Sequence, residues 1–557
     1  MNSTSNNVIA SRRFMFGVIL LSLIKLWLIA PQEILVRSSP HDDTLFIGWA
    51  LSMLEGEWLG PYNQFTLMKG PGYSLFIAFS NLIGLPLILS QELLYLGACL
   101  VFTIGLKHLG LRNRYLLLAF AALIFNPFTY NFFPNVYPFR FGIYPAVSLL
   151  IFGLAQLILL KSQRGDRHGY LLFGFGLVLG WFWNIRGEAI WIIPSLAVFS
   201  AMYLILRARA CYTNQLRTAL SKTVLAILIS ATGFTIVNSS IAYQNFRTYG
   251  VYTTNEMKSP AFRAAYGGLL RIETVQWERF IPVNREARNI AYAVSPSFKR
   301  LEEYFEHGRG AQTWMKGGSD YIAAFFPWAF RDGIYSIGYF RDASSTHEFL
   351  TAIGSEIDSA CDSGKIKCRP RYSELAPKWH TEWNGLAAEV LLDTLKRFVK
   401  FKGFVEFGPR PGSMNDEKLL TNYKYVTQSL VRPHRPELLE SVPQYHKARI
   451  QARNKFFGKI LWLYRHLPQI LFVIALAGLG WRVYKVFRGS RIHVSDAISL
   501  SLIAGIFSYA LILTILQVTS YTSIGRQLNT MYPIVLAFIL SWVAGLAERR
   551  PASTDTD

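Results

Sequence analysis

The sequence predicts a polytopic α-helical membrane protein, and three observations lead to that fold class. Hydrophobic residues make up 51% of the 557 residues, which is more than a soluble core requires. Many apolar segments are about as long as a membrane-spanning helix, which takes roughly 20 residues. Lysine and arginine cluster in the short loops between them, as the positive-inside rule expects of cytoplasmic loops. The net charge of +22 is therefore that of a membrane protein, and we do not expect nucleic acid as a partner.

The basic loops determine the predicted topology. The candidate membrane spans lie near 14–30, 72–88, 91–107, 115–131, 140–161, 169–185, 188–206, 222–242, 467–484, 495–517 and 529–547. Every basic loop falls in the cytoplasm only if one early candidate fails to cross. We expect this to be 72–88, because Pro71, Gly84 and Pro86 interrupt its helical pattern. The prediction is about ten transmembrane helices, with both termini in the cytoplasm.

The first apolar segment is preceded by arginines, as a signal peptide is, but it is as long as a span and no small-residue cleavage site follows. We therefore expect an uncleaved first helix. Lys25 lies near its outer end, from which a lysine side chain reaches the interface. On that view Lys25 needs no functional role.

Three parts follow from this topology: a transmembrane module at 1–242, an extracytoplasmic and mostly helical domain at 243–465, and a C-terminal part at 466–557 with the last spans and a short cytoplasmic tail. The first extracytoplasmic loop of the module is expected at 31–90. Two juxtamembrane helices are expected in it, near 44–55 and 73–88.

Features of the polar domain have alternative interpretations. Cys361 and Cys368 are close enough in sequence for a local disulfide if the domain is outside the cytoplasm, and two free thiols are the alternative. The aromatic stretch 325–342, FFPWAFRDGIYSIGYFRD, is suited either to stacking on a sugar or to a packed core. A helix is predicted to begin with a capping box formed by Ser345 and Glu348.

Two aspartates, Asp42 and Asp43, lie just before an apolar helical pattern at the outer end of the first helix. One aspartate at that place can cap the next helix, which stabilises it by about 1 kcal/mol. A second carboxylate beside apolar surface costs desolvation free energy unless it has a role. We therefore expect at least one of the two to be functional.

Basic residues accompany the aspartates at the predicted outer face, against the positive-inside trend. They are Lys69, Arg140, Arg186, Arg247 and Arg526. Such residues indicate an anion near the bilayer surface, for which a lipid phosphate is the obvious candidate. Each can instead be an interfacial side chain that contacts headgroups. Arg186 is the most informative, because Asn184 and Glu188 make the break between two apolar helices polar.

Four short motifs follow one another between about residues 10 and 250. The first is the acidic pair, with an aromatic residue four positions and an alanine eight positions after Asp42, at Phe46 and Ala50. The second is the turn KGPGY at 69–73 in the same loop. Both lie where the first loop leaves the membrane.

The third motif is the helix-break-helix NIRGEAIW, with Gly187 where an Arg-Pro-Glu-like turn has proline, and the fourth is YQNFRTYG at the end of a later helix. In this order, the four motifs resemble the GT-C superfamily of integral membrane glycosyltransferases. The resemblance is strongest to the branch that contains protein O-mannosyltransferases and the lipid A aminoarabinose transferase.

The resemblance implies transfer of a sugar from a polyprenyl-phosphate donor to a lipid, glycan or protein acceptor, at the periplasmic face of a bacterial inner membrane. It implies that Asp42 is the general base, and that Asp43 caps the helix or orients the site. Lys69, Arg186, Arg526 and Arg140 would hold the donor phosphate. Because the leaving phosphate has a second pKa of about 6, it needs no general acid.

Two departures from the family pattern affect the prediction. The loop NFFPNVYPFRFGIYP before the fourth span has no acidic residue, so a divalent metal is not favoured and no metal site is assigned. His41 and Glu188 remain candidates for an acceptor contact or a metal ligand. The polar domain is also inserted between the seventh and eighth spans, where recognition of the acceptor would differ.

Two alternatives to this function remain. A transporter or flippase of lipid-linked sugars would also place cations near lipid, but it should carry polar residues deep in the bilayer and matching halves. A polysaccharide polymerase or ligase would share a large outer loop, but it does not predict the acidic pair.

Overall fold

The computed structural model describes residues 2–130, 137–209, 216–315, 320–370, 379–401, 412–434, 444–520 and 524–549. The fold class is confirmed, because these residues form a polytopic helical membrane protein and no strand occurs among them. The tail after residue 549 and part of the acid-free loop, 131–136, lie outside the described residues.

The N-terminal half contains nine α-helices in the described part of the chain. They are α1 Asn2–Ile29, α2 Asp43–Leu54, α3 Gly72–Leu82, α4 Leu87–His108, α5 Asn113–Ile124, α6 Tyr144–Arg164, α7 Gly169–Trp183, α8 Ile192–Arg209 and α9 Leu216–Tyr249. The connections before and after α2 are long loops. The predicted juxtamembrane helices correspond to α2 and α3. Helix α3 ends before Gly84, whose φ of +72° terminates the helix, and Pro86 caps α4.

Residues 250–443, which follow α9, are called the outer region after their predicted position. Their described part contains the helices α10 Pro260–Arg271, α11 Arg285–Val294, α12 Pro296–Lys299, α13 Glu302–Glu306, α14 Arg309–Trp314, α15 Phe326–Ser336, α16 Ala343–Asp362, α17 Trp383–Val399 and α18 Glu417–Thr427. The C-terminal helices are α19 Gln444–Phe487, α20 Val494–Ser520 and α21 Tyr532–Glu548. Since α9 runs past residue 242 and α19 begins before residue 465, both predicted limits of the polar domain fall inside helices. The division into three parts stays a prediction.

Seven helical segments in the described ranges are long and apolar enough to cross a membrane: Leu87–His108, Arg140–Arg164, Gly187–Ala208, Arg217–Tyr249, Asn454–Phe487, Val494–Ser520 and Gln527–Glu548. The other three predicted crossings are also helical, as α1, α5 and α7. Helices α5 and α7 are apolar but shorter, with 12 and 15 residues. The count of ten crossings therefore stays a prediction.

Close helix packing holds the membrane part together. Helix α7 lies against α9. A Cβ atom added to Gly176 would lie only 2.0 Å from the carbonyl oxygen of Ser230, and one added to Gly233 only 2.5 Å from that of Phe173, so neither position has room for a side chain. Small residues at such a crossing let two backbones approach, which is the usual way in which membrane helices associate.

The expectation for Lys25 is wrong. Its side chain is fully buried, forms an ion pair with Glu92 of α4 at 3.7 Å and donates a hydrogen bond to Thr129. The ammonium also lies over the rings of Tyr130 and Phe457, at 5.5 Å and 5.3 Å from their centres. Neighbouring helices cover the end of α1 here, so the side chain cannot reach the interface.

The outer region has its own aromatic core, formed mainly by α10, α15 and α16. In the stretch 325–342, Phe326, Phe330 and Phe340 are buried in that core. The cap of α16 is Asp342, whose carboxylate accepts from the backbone N–H of Ser345 at 2.8 Å. The predicted capping box is therefore wrong by three residues.

Candidate active site

The two aspartates before α2 have different partners. Asp43 is buried, and its carboxylate accepts hydrogen bonds from the backbone N–H groups of Arg37 at 3.1 Å and Ser39 at 2.9 Å. Asp42 occupies the N-cap position, but its side chain makes no capping bond. Its Oδ1 accepts a hydrogen bond from Nζ of Lys69 at 2.8 Å instead. Asp43 therefore orients the loop, and Asp42 faces a cation.

Lys69 is buried beside Asp42 and also donates to the backbone carbonyl of His41. Its ammonium lies over the rings of Phe46 and Trp328, at 5.4 Å and 5.5 Å. Burial and then the charge of Arg140 lower the pKa of Lys69 to about 8, against the opposing effect of Asp42. The side chain therefore still carries its charge at neutral pH.

Asp42 is ionised at neutral pH for a related reason. Burial opposes the charged carboxylate, but the charges of Lys69, Arg140 and Arg526 outweigh it, and the pKa of Asp42 lies below its ordinary value. Its side chain remains 34% exposed, so it is open to a ligand.

The arginines reach this place from connections that are far apart in sequence. The guanidinium of Arg140 lies over the ring of Phe46 at 5.3 Å, and that of Arg526 over Phe139 at 5.7 Å. Arg186 lies over the ring of Phe141 at 4.0 Å. The structure thus gathers four of the five predicted cations around the start of α2.

Glycines allow the loop that carries Lys69 to approach the break between α7 and α8. The backbone N–H of Gly72 donates to the carbonyl of Asn184 at 3.0 Å, and the indole of Trp181 donates to the carbonyl of Gly72. A Cβ atom on Gly70 would lie 2.3 Å from the same Asn184 oxygen. The glycines of KGPGY are therefore needed for this contact.

Glu188 is engaged by Arg186. Its carboxylate accepts from Nε and Nη2 of that guanidinium, at 3.1 Å and 2.6 Å. Nη1 of Arg186 and Nε of Arg140 are buried, and neither has a hydrogen-bond partner among the described residues. Two N–H donors thus remain available for an anion.

A cavity with about 410 Å³ of empty space opens at this cluster. Its walls are formed by Arg37, Ser39, Asp42, Asp43, Tyr137, Phe139, Phe141 and Arg526. Both aspartates and two arginines, Arg37 and Arg526, face it, and aromatic rings complete the wall.

His41 lies in an aromatic surrounding. Its ring is 5.0 Å from that of Phe65, 5.2 Å from Trp314 and 5.4 Å from Trp328. Burial, and then the charge of Lys69, lower the pKa of His41 to about 4, so the ring is neutral at pH 7. Its Nδ1 is buried with no hydrogen-bond partner in the described residues.

Trp314 and Trp328 are contributed by the outer region, and no sequence pattern places them near Asp42. Trp328 belongs to the aromatic stretch 325–342, for which the sequence predicts sugar stacking or core packing, whereas Trp314 lies in no such pattern. Arg247 is exposed and takes no part in the cluster. Within the described ranges, no three histidine, cysteine or acidic side chains are grouped so as to hold a metal ion.

The fold and the cluster define a multi-pass helical membrane protein with a charged site at one end of its helix bundle. No family model matches the chain, and no curated protein matches it.

Two solved structures of ArnT from Cupriavidus metallidurans are similar, one bound to undecaprenyl phosphate and one in the apo state. Each is 11% identical and covers 96% of this chain and 78% of the ArnT chain, with TM-scores of 0.31 and 0.28. These TM-scores are too low to define a shared fold, and we draw no function from them.

Proposed function

We propose that the protein is a GT-C type glycosyltransferase that moves a sugar from a polyprenyl-phosphate donor to an acceptor at the outer face of the membrane. The observation that carries the proposal is a single partly exposed carboxylate, Asp42, among the cations Lys69, Arg140, Arg186 and Arg526. Sugar transfer from a lipid phosphate requires this combination of one base and several phosphate ligands.

The cations would bind the donor phosphate. The unpartnered N–H groups of Arg140 and Arg186 are suited to phosphate oxygens, and Arg526 adds charge at the cavity. As the bond between the sugar C1 and the phosphate oxygen breaks, the departing phosphate gains charge, and these groups stabilise it. Because the leaving group is already a stable anion near neutral pH, with a second pKa of about 6, no acid is needed.

Asp42 would accept the proton of the acceptor. The acceptor oxygen or nitrogen forms a bond to C1 while its proton moves to a carboxylate oxygen of Asp42. In the unliganded site Lys69 holds that carboxylate at 2.8 Å and keeps its pKa low. When a bound phosphate draws the ammonium of Lys69 away, Asp42 becomes the stronger base that the reaction needs.

On this proposal the protein lies in a bacterial inner membrane with its site on the periplasmic side. The acceptor is a lipid, a glycan or a protein. His41 precedes Asp42 in the first loop, and Trp314 and Trp328 of the outer region pack against the histidine ring, so all three would meet the acceptor. A neutral imidazole beside two indole rings suits a sugar or another group with both apolar and hydroxyl surfaces.

The buried pair of Lys25 and Glu92 bears on the transporter alternative. Lys25 is four residues from the end of α1, and Glu92 is five residues from the start of α4. At 1.5 Å per residue both lie within about 8 Å of those helix ends. The pair is therefore not at mid-bilayer, where a transport site is expected.

The test is sugar transfer by the purified full-length protein from radiolabelled polyprenyl-phosphate hexoses and pentoses, with total membrane lipid as the acceptor. We expect Asp42→Asn to lower the rate by about 10²–10⁴-fold, the usual contribution of a general base. Glu57→Gln, an exposed carboxylate in the same loop, serves as the matched control and should keep full activity. Full activity of Asp42→Asn would show that Asp42 is not the general base. If the wild-type protein neither transfers the sugar nor hydrolyses the donor, the proposed function is wrong.

A further inference from the structure

A second cavity lies where the outer region meets the end of a membrane helix. It contains about 560 Å³ of empty space between the loop 272–284, Arg369, the start of α17 and Thr519 at the end of α20. The loop is attached to α20 because Nε of Arg279 donates to the carbonyl of Val518 at 3.0 Å. The proposed transfer reaction makes no use of this cavity.

One wall of this cavity is aromatic. The ring of Trp277 stacks on His380 at 3.9 Å, and Trp383 meets it edge to face at 5.8 Å. The side chain of Trp277 nevertheless remains 39% exposed. A flat apolar surface held in place by neighbouring rings is thus presented to a ligand.

The remaining wall is polar and carries both signs of charge. Glu278 and Arg369 line it together with hydroxyl and amide groups. Nε of Arg369 lies 3.9 Å from the carboxylate of Glu273, so this cation already has an anionic neighbour. A phosphate would meet two carboxylates here, whereas hydroxyl groups can both donate to carboxylates and accept from a guanidinium.

The cavity is fixed by covalent and backbone links. Cys361 and Cys368 form a disulfide directly before Arg369. The backbone N–H of Arg369 donates to the carbonyl of Arg271 at 2.9 Å, which ties the disulfide segment to the end of α10. Phe280, in the facing loop, has a φ of +73°, a strained conformation for a residue with a side chain. Strain and cross-linking at one place indicate a surface held in a defined shape.

We propose that this cavity binds a neutral carbohydrate chain, with a sugar ring on the face of Trp277 and its hydroxyl groups on the polar wall. A pyranose ring has apolar C–H faces and a rim of hydroxyl groups, which matches one aromatic and one polar wall. The site is independent of the proposed sugar transfer, because it shares no residue with the cluster at Asp42.

The test is saturation-transfer NMR with the full-length protein in neutral-lipid nanodiscs and no donor. The probes are the trisaccharides of glucose, mannose and N-acetylglucosamine. We expect transfer to at least one of them, and an affinity about tenfold lower in Trp277→Ala, as loss of an aromatic contact predicts. Trp481→Ala, at an exposed tryptophan of α19, is the matched control and should bind as the wild type does.

Glu278→Ala alters the polar wall at an exposed position and supports the proposal if it weakens binding. Asp42→Asn should bind the trisaccharide unchanged, which separates this site from the transferase proposal. The proposal is overturned if the wild type binds none of the three probes, or if Trp277→Ala and Glu278→Ala both bind as tightly as the wild type. Loss of binding in nanodiscs of anionic lipid would identify a lipid headgroup as the occupant and would also overturn it.

Discussion

Two clusters of charged side chains, around Glu256 and around Asp42, lie at the two ends of the segment 62–69. They differ in how many of their hydrogen-bonding groups already have partners. Around Glu256 the carboxylate accepts from the hydroxyl of Tyr62 at 2.5 Å, from Arg331 at 2.6 Å and from His347 at 3.0 Å. Around Asp42, one carboxylate oxygen accepts from Lys69 and a third of the side chain is exposed.

The difference separates a structural cluster from a reactive one. Arg331 also donates to the backbone carbonyls of Gln64 and Thr66, so the Glu256 cluster fastens the first loop to the outer region. Both of its charges are buried and matched, which leaves nothing for a ligand. At Asp42, unpartnered N–H groups of two arginines and a cavity leave room for an anion. Substitutions at the Asp42 cluster should therefore lower activity with little loss of stability. Substitutions at the Glu256 cluster should mainly lower stability.

The largest effect on stability should come from Arg331→Met. Removing one partner of a buried ion pair leaves Glu256 charged and uncompensated, and we expect a loss of about 3–5 kcal/mol in the free energy of unfolding. Denaturant unfolding in detergent micelles measures it. Arg285→Met is the matched control, because Arg285 pairs with Glu306 from an exposed position and should cost less than about 1 kcal/mol. Equal losses in the two variants would contradict a structural role for the Glu256 cluster.

Lys25→Met should destabilise by a smaller amount, about 2–3 kcal/mol, because the unfolded chain in the membrane also finds partners for Glu92. The same unfolding measurement applies. Adding Glu92→Gln should recover part of the loss, since it removes the uncompensated carboxylate. If the double variant is less stable than Lys25→Met by as much as Glu92→Gln alone costs the wild type, the two charges are not coupled.

Arg526→Gln should change the free energy of unfolding by no more than about 0.5 kcal/mol, because the residue is exposed. It should nevertheless raise the KM for the donor, since a cation is lost from the cavity. Steady-state transfer and unfolding of the same preparation check both statements. Arg247→Gln, at an exposed arginine outside the cluster, is the control, and an equal rise of KM in both variants would place the phosphate elsewhere.

The last prediction concerns pH. The folded state lowers the pKa of His41 from 6.5 to about 4, so the unfolded chain binds a proton more readily in that interval. The contribution of His41 is therefore complete above pH 6.5 and is lost as the pH falls toward 4. His41→Phe, which suits the aromatic surrounding, should flatten the fall of the unfolding temperature across this window. An unchanged slope would mean that the imidazole titrates normally in the fold.

Hydropathy and turn residues predicted most of the helices, because both act within one segment of chain. The ten expected crossings are helical, and the pair α2 and α3 lies where the first loop was expected to carry helices. Local patterns failed where a neighbouring segment decides the outcome. Lys25 was assigned to the interface because hydropathy locates a helix end but not the helices that cover it. Trp314 reaches His41 across more than 270 residues of sequence, and no spacing rule connects them.

Hydropathy and charge pattern alone predict a helical membrane protein with an acidic pair at the start of α2 and basic residues at several helix ends. Tertiary packing set which remote partners meet: Lys69 reaches Asp42 from 27 residues away, and Arg331 reaches Glu256 from 75 residues away. Helical periodicity acts over a few residues of one chain segment. Ion pairs and hydrogen bonds depend instead on distances of about 3 Å between segments that are remote in sequence, and packing alone sets those distances.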